Sequence, residues 1–217
     1  MFFSSLALAL LTPSEAHAQK YEVALTTSIQ TVRDPRWEVV NASPTHTPSG
    51  IVAGMVVSGS TSVILGLNTG SAGSEIMVPT SDGSAEHGFN LAATLTHYQV
   101  GARYRWSWKE RLVPTTTVVV QLGQATLRMD ENIDIEGEEV ETRSDAFSMG
   151  LEFGGGLEYT VAYLSQEQVR LTLGFEVGYT NLRKMKFKTT ENGPSEASLG
   201  ELNPGGPFVT VAVGTRF

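Results

Sequence analysis

The sequence predicts an all-β fold: an eight-stranded antiparallel up-and-down β-barrel that crosses a membrane with its strands. Three observations lead there. Side-chain character alternates with period two over almost the whole chain, the connections alternate between short and long, and the apolar and polar faces are distributed as in a lipid-embedded barrel.

Alternation is clearest over 166–182. Val169, Leu171, Leu173, Phe175, Val177 and Tyr179 share one face, and Arg170, Thr172, Gly174, Glu176, Gly178 and Thr180 share the other. The run 145–162 repeats the pattern, with Phe147, Met149, Leu151, Phe153, Leu157, Tyr159 and Val161 opposed to Ser148, Gly150, Glu152, Gly154, Gly156, Glu158 and Thr160. Six further segments read as strands, at about 20–31, 49–59, 61–70, 90–109, 113–129 and 205–217. No stretch carries a convincing helical period.

Short connections fall near Gly59-Ser60, Lys109-Glu110-Arg111 and Tyr163-Leu164-Ser165, and long ones at 32–48, 71–89, 130–144 and 183–204. An even strand count with tight turns at one end and long loops at the other describes a bacterial outer-membrane barrel, with both chain ends on the periplasmic side. Most strands exceed the ~10 residues needed to cross the membrane, so the wall is expected to rise above it. A soluble sandwich or lipocalin-like barrel would also alternate, but with its apolar face inward. Here the small and charged face holds too many glycines to fill a core, and the other face is almost uniformly apolar.

Tyr21, Trp106, Trp108, Tyr159, Tyr163 and Phe217 map to the periplasmic strand ends, and Phe147 and Tyr179 toward the outer ends. Such placement matches interfacial girdles, although strand ends also favour aromatics in general. Ahead of the barrel, Phe2 to Leu11 is apolar apart from Ser4 and Ser5, and Ala16-His17-Ala18 follows Pro13. We read residues 1–18 as a signal peptide cleaved near Ala18 and 19–217 as the barrel. No Lys or Arg precedes the apolar run, so the start lies upstream or the signal is atypical; a buried N-terminal helix is the other reading.

The segment Pro207 to Phe217, with Val209, Val211 and Val213 on the face of Phe217, resembles the C-terminal signature of outer-membrane proteins. In layout the chain from Gln19 resembles the small barrels of the outer-membrane protein A and X type and the N-terminal barrel of related porins. The resemblance implies that Phe217 is an assembly signal read by the barrel-assembly machinery. No peptidoglycan-binding domain is expected after it, in contrast to the larger members.

On the lumen parity lie Glu22, Arg103, Arg105, Glu152, Glu158, Arg170, Glu176 and Arg216, four carboxylates and four arginines. Eight strands leave an interior just wide enough for side chains, and buried charges need partners. These residues are expected to form a salt-bridge plug; a gated narrow channel for ions or small solutes is the alternative. General acid–base catalysis lacks anything that positions a substrate.

The mature chain carries His46, His87 and His97, the first two in expected outer loops and the third on a strand with lumen parity. Envelope enzymes of similar size exist: lipid A deacylases carry a His-x-Ser pattern near the chain end, and palmitoyltransferases share the scale. No histidine follows His97 here and none has Ser two positions on, so an enzyme is not expected. Asp130, Asn132, Asp134 and Glu141 match positions 1, 3, 5 and 12 of a calcium loop, but Ile135 stands where glycine is required, so a solvated acidic loop is expected, with weak divalent-cation binding as the alternative. Arg183, Lys184, Lys186 and Lys188 open the last loop and read equally as a contact for lipopolysaccharide phosphates or as a solvated run. No cofactor is expected. A net charge of −8 argues against nucleic acid as a partner, and the absence of cysteine excludes disulfides and thiolate metal sites. Outer-membrane lipid is the expected surrounding.

Overall fold

The computed structural model describes residues 20–41, 43–79, 86–107, 111–132, 141–164, 169–187 and 200–217. The expected leader with its cleavage site, Trp108, Asp134 and Lys188 lie outside them. In chain order the elements are β1 (Tyr21–Thr31), α1 (Trp37–Val40), β2 (Thr45–His46), β3 (Ser49–Ser58), β4 (Thr61–Pro79), β5 (Glu86–Arg105), β6 (Leu112–Asn132), β7 (Glu141–Leu164), β8 (Val169–Leu182), β9 (Met185–Lys186), β10 (Glu201–Leu202) and β11 (Gly206–Arg216).

Strands β1, β3, β4, β5, β6, β7, β8 and β11 form the wall. Each is antiparallel to the next, and β11 returns to β1 in a ladder from Glu22 opposite Arg216 to Gln30 opposite Phe208. This last pairing makes the sheet a closed eight-strand barrel, as the sequence pattern predicts. At the closure, the Phe217 carbonyl accepts from the Lys20 and Tyr21 amides at 2.9 and 2.8 Å. The Phe217 ring lies 6.1 Å from that of Tyr21.

The faces divide as the alternation requires. Outward residues on β8 are Leu173, Phe175, Val177 and Tyr179, and on β7 Met149, Leu151, Phe153, Leu157 and Tyr159. Leu25 and Leu65 are 67% and 60% exposed. Exposed apolar side chains continue around the wall as a belt far larger than the few hundred Å² that a water-soluble monomer presents. Inward residues at the same height are Glu22, Thr26, Arg105, Thr117, Gln121, Glu158 and Thr172. Apolar outside and charged inside is the arrangement of a membrane-spanning barrel.

Above the belt both faces invert. The outer face changes from Leu67, Tyr98, Leu122 and Met149, which are register partners on β4 to β7, through a mixed row of Thr69, Thr96, Gln124 and the exposed Phe147, to Ser71, Thr94, Thr126 and Asp145. Cross-strand hydroxyl pairs hold this upper wall: Thr69 to Thr96 at 3.2 Å and Ser71 to Thr94 at 3.1 Å. The inner face there becomes apolar, with Ala93, Leu95, Ala125, Leu127 and Ala146 all buried. The upper storey is thus a four-strand extension of the wall, β4 to β7, with its faces arranged as in a water-exposed sheet, on top of the lipid-embedded barrel.

This second storey corrects the expected loop lengths. Residues 71–79, 86–89, 130–132 and 141–144 are wall, not loop. They lie above lipid, so their outward side chains need not be apolar, and the hydrophobic alternation that marks a membrane strand fades while the ladder continues. The connections 32–48 and 183–204 are also not simple outer loops, because parts of both fold into the barrel mouth. They bring α1, where no helix was expected. Asp34 Oδ1 accepts the Arg36 amide at 3.0 Å and Pro35 supplies a preset φ, so the chain turns and Asn41 bonds back to the Trp37 carbonyl at 2.8 Å.

Candidate functional site

The lumen holds three groups of side chains at successive heights. The lowest is ionic. Arg105, from the lower end of β5, is 5% exposed. Its Nη2 donates to Glu158 Oε2 at 3.0 Å and to Glu22 Oε2, its Nε to Glu158 Oε2 at 3.2 Å, and its Nη1 to the Ser62 hydroxyl at 2.7 Å. Arg216 reaches Glu158 at 3.3 Å and Glu22 at 3.8 Å. Arg103 spans from Glu22 at 3.7 Å to Glu176 at 3.8 Å, and the Thr117 hydroxyl donates to Glu176 at 3.1 Å. Three arginines and three carboxylates therefore balance, with residues from β1, β5, β7, β8 and β11 meeting across the axis.

Glycines on the lumen face make room for these long side chains. A Cβ at Gly54 would stand 2.7 Å from Glu22 Cγ, and one at Gly154 would overlap the carboxylate of Glu176. The glycine-rich parity that argues against an apolar core is what lets charged side chains lie flat across a narrow barrel.

Two of the eight expected lumen charges stand apart from this network. Glu152 touches no arginine. It accepts from Gln99 Nε2 at 3.2 Å and from the Thr180 hydroxyl at 3.0 Å. Behind Gln99 an oriented chain continues, Asn68 Nδ2 donating to Gln99 Oε1 at 2.9 Å and Thr26 donating to Asn68 Oδ1 at 2.8 Å. Arg170 lies near the lower rim with its guanidinium 5.4 Å from the ring centre of Tyr163. The irregularity between Thr160 and Ala162 explains that contact, since one extra residue on β7 makes Tyr163 the register partner of Arg170. Tyr163 therefore shares the face of Arg170, not the lipid-facing face, which removes it from the expected girdle.

The middle group lines a cavity of ≈ 50 Å³ bounded by Asn68, His97, Gln99, Arg103, Glu152 and Thr180. A second of the same volume lies beside Arg103, Glu158 and Glu176. Each has room for about three waters at roughly 15 Å³ apiece.

The uppermost group is apolar. Trp37 and Val40 of α1, Val32, and Met185, Phe187 and Leu202 from the last connection pack on Leu95, Leu127 and the alanines of the upper wall. The two connections that supply this cap are tied together: Asn203 donates its amide to Asp34 Oδ2 at 2.8 Å, Gln30 donates to the Pro204 carbonyl at 2.9 Å, and Arg36 donates to the Glu201 carbonyl. His46 sits beneath Trp37, ring centres 5.5 Å apart, and faces His97 at 6.4 Å. His46 is 2% exposed, contrary to its expected loop position, because β2 extends the ladder of β1 through Gln30 opposite His46 and carries the residue inward. Burial pushes its imidazole down to about 4.

The remaining candidates do not converge. Asp130 and Asn132 end β6 and Glu141 begins β7, where Asp130 and Glu141 pair across the ladder and Asp130 faces Arg128 at 3.7 Å. Among the described residues no cluster of three metal-ligating side chains forms. Lys184 and Lys186 both bridge Glu201, at 3.3 and 3.4 Å, and Arg183 is exposed beside them. Arg33 lies over the Tyr179 ring at 5.5 Å, at the upper border of the apolar belt. The sequence reading missed the Trp37 cap. Asp34-Pro35 followed by Trp37 and Val40 was the available signal, a turn initiator ahead of two apolar residues three apart.

Closed ladder, outward apolar belt and inward charges define a small transmembrane β-barrel. The chain matches no protein-family model and no curated protein sequence. Among solved structures it is similar to Neisserial surface protein A, at 15% identity over 90% of this chain and 95% of that one with a TM-score of 0.45. It is also similar to Ail, the attachment invasion locus protein of Yersinia pestis, at 10% identity over 91% and 97% with a TM-score of 0.46. The N-terminal β-barrel domain of OprF from Pseudomonas aeruginosa matches at 14% identity over 92% and 98%, with a TM-score of 0.35.

Proposed function

We propose that this chain is a barrel of the bacterial outer membrane with a structural or surface-interaction role, non-enzymatic, its lumen plugged by charged pairs and its outer end meeting envelope or external partners. The observation that carries this reading is the crossing of the axis by Arg103, Arg105 and Arg216 with Glu22, Glu158 and Glu176. Opposite charges in low dielectric resist separation, and each guanidinium removed would leave the three carboxylates one positive charge short. Export would remove the leader near Ala18, and Phe217 would serve the barrel-assembly machinery. Arg33 lies over the Tyr179 ring at the upper border of the apolar belt, and Arg36, Lys184 and Lys186 converge on Glu201 with Arg183 exposed beside them, a basic rim that would meet lipid phosphates. Lipopolysaccharide phosphate is therefore the partner we assign to that rim.

Single-channel recording on the purified, refolded protein in planar bilayers tests the plug. Little or no steady current is expected, and a large stable open-channel current would overturn the reading. The alternative is a narrow channel, favoured by the two cavities beside Arg103. Brief, small openings that increase in Arg103→Ala would promote it. For export and assembly, the expected results are Gln19 as the first residue of the outer-membrane form and lower outer-membrane levels after deletion of Phe217.

A further inference from the structure

Connection 32–48 packs into the barrel mouth through Val32, Trp37 and Val40, and beneath that apolar cap its His46 faces His97 of the wall. Trp37 is fully buried, and His46 and His97 are 2% and 3% exposed. Neither ring nitrogen of His46 has a hydrogen-bond partner among the described residues, nor do His97 Nε2 and Trp37 Nε1. The seat of the His46 ring is cut to its shape: a Cβ at Gly70 would stand 2.6 Å from His46 Cε1. His46 belongs to the connection and His97 to the wall, so their contact is an interface between the two.

We infer that the His46–His97 contact is a proton-operated latch: the connection carrying Trp37 and His46 closes the mouth while the imidazoles are neutral and releases it when they are charged. A neutral imidazole tolerates the apolar cap, whereas an imidazolium at His46 would be desolvated, without an acceptor, and would face a second titratable ring across 6.4 Å. Among the described residues no carboxylate is placed to receive the charge at His46. Beside His46 lie Gln30 on β1 and Gly70 on β4, beside His97 lie Asn68 on β4 and Gly123 on β6, and on α1 Glu38 points to solvent. Asp34 is occupied by the amides of Arg36 and Asn203. Glu152, Glu176 and Arg103 line the cavity below His97, on the far side of it from the cap.

The sign follows from burial. The closed state holds the His46 imidazole down at about 4, against an ordinary value near 6.5 once released. Above 6.5 neither state binds the proton and closure is independent of pH. Below 6.5 the released state binds it, and the open-to-closed ratio rises up to tenfold per pH unit until about 4, where both states are charged.

Trp37 reports closure directly. With Trp106→Phe and Trp108→Phe, Trp37 is the sole tryptophan, and acrylamide quenching of the full folded chain in detergent reads its shielding. The expected result is strong shielding at pH 7.5 that is lost progressively between pH 6.5 and 4.5 while the barrel remains heat-modifiable on gels. His46→Phe should stay shielded throughout, and Gly70→Ala, which pushes His46 from its seat, should expose Trp37 already at pH 7.5. Shielding of the unmodified latch that is flat from pH 7.5 to 4.5 overturns the inference, as does the same acid transition in His46→Phe. Should His46→Phe fail to fold, the imidazole resonances of labelled histidine decide: His46 protonation that coincides with loss of Trp37 shielding supports the latch, and His46 protonation at any pH with Trp37 still shielded excludes it.

Discussion

At the residue scale, position on the lumen parity does not by itself determine what a charge contributes. Arg105 has two carboxylates and a hydroxyl around one guanidinium, whereas Arg170 rests on an aromatic ring near the rim. Removing one partner of a buried pair leaves an uncompensated charge and costs about 3–5 kcal/mol. Arg105→Ala is therefore expected to lower unfolding stability by that amount in a denaturant titration of the folded barrel. Arg170→Ala, which loses a cation–π contact and no ion pair within 4 Å among the described residues, should cost about 1 kcal/mol. Equal losses for the two variants would mean that the ionic cluster does not stabilise the barrel as its geometry implies. Glu152 separates from Glu158 in the same way. Glu158→Gln breaks contacts to Arg105 and Arg216, while Glu152→Gln leaves an amide among amide and hydroxyl partners and should be the milder change.

At the element scale, the inversion of faces along β4 to β7 marks where lipid ends. Leu173, on β8 within the belt, is 45% exposed toward lipid. Leu173→Arg should destabilise by roughly 2–4 kcal/mol if it sits near the bilayer midplane. Thr94→Arg on the outer face of the upper storey should stay within about 0.5 kcal/mol, as for an ordinary water-exposed site. Similar denaturant midpoints for wild type and Leu173→Arg would show that the faces are reversed, and a large loss at Thr94→Arg would place the lipid boundary higher. The cap obeys different rules, because it is an aqueous core. Trp37→Ala should cost about 3–5 kcal/mol of cap stability, read as lost amide-exchange protection at Val32, whose amide bonds the Pro44 carbonyl at 2.8 Å. Protection of β7 and β8 should be unchanged.

At the scale of the whole molecule, the axis is crossed twice, by an ionic layer within the membrane and by an apolar layer above it. The two layers share no hydrogen bond or ion pair among those described, and the small cavities lie between and beside them. Opening one layer should leave the other in place. Neither Arg105→Ala nor Trp37→Ala alone is expected to give a steady conductance, whereas the combined variant should pass ions in planar bilayers. A steady current from Trp37→Ala alone would show that the ionic layer is no barrier.

The sequence by itself determined the strand count and, within the belt, which face meets lipid and which charged side chains enter the lumen. All of these follow from a period of two that each strand carries locally, and a belt of lipid contact makes that period loud. It could not determine which lumen charges meet. Pairing across an axis depends on register and barrel stagger, so Glu152 and Glu158 look alike in sequence although only Glu158 reaches arginine. A single extra residue near Val161 turned Tyr163 to the other face, a change invisible to alternation read by eye. The upper storey was illegible for a third reason: once the outer face meets water, Thr, Ser and Asp outside and Ala and Leu inside carry too weak a contrast to read as wall. Only the closed tertiary structure placed Trp37 and His46 inside the mouth, since a connection folds inward when the wall above the membrane presents an apolar interior that must be covered.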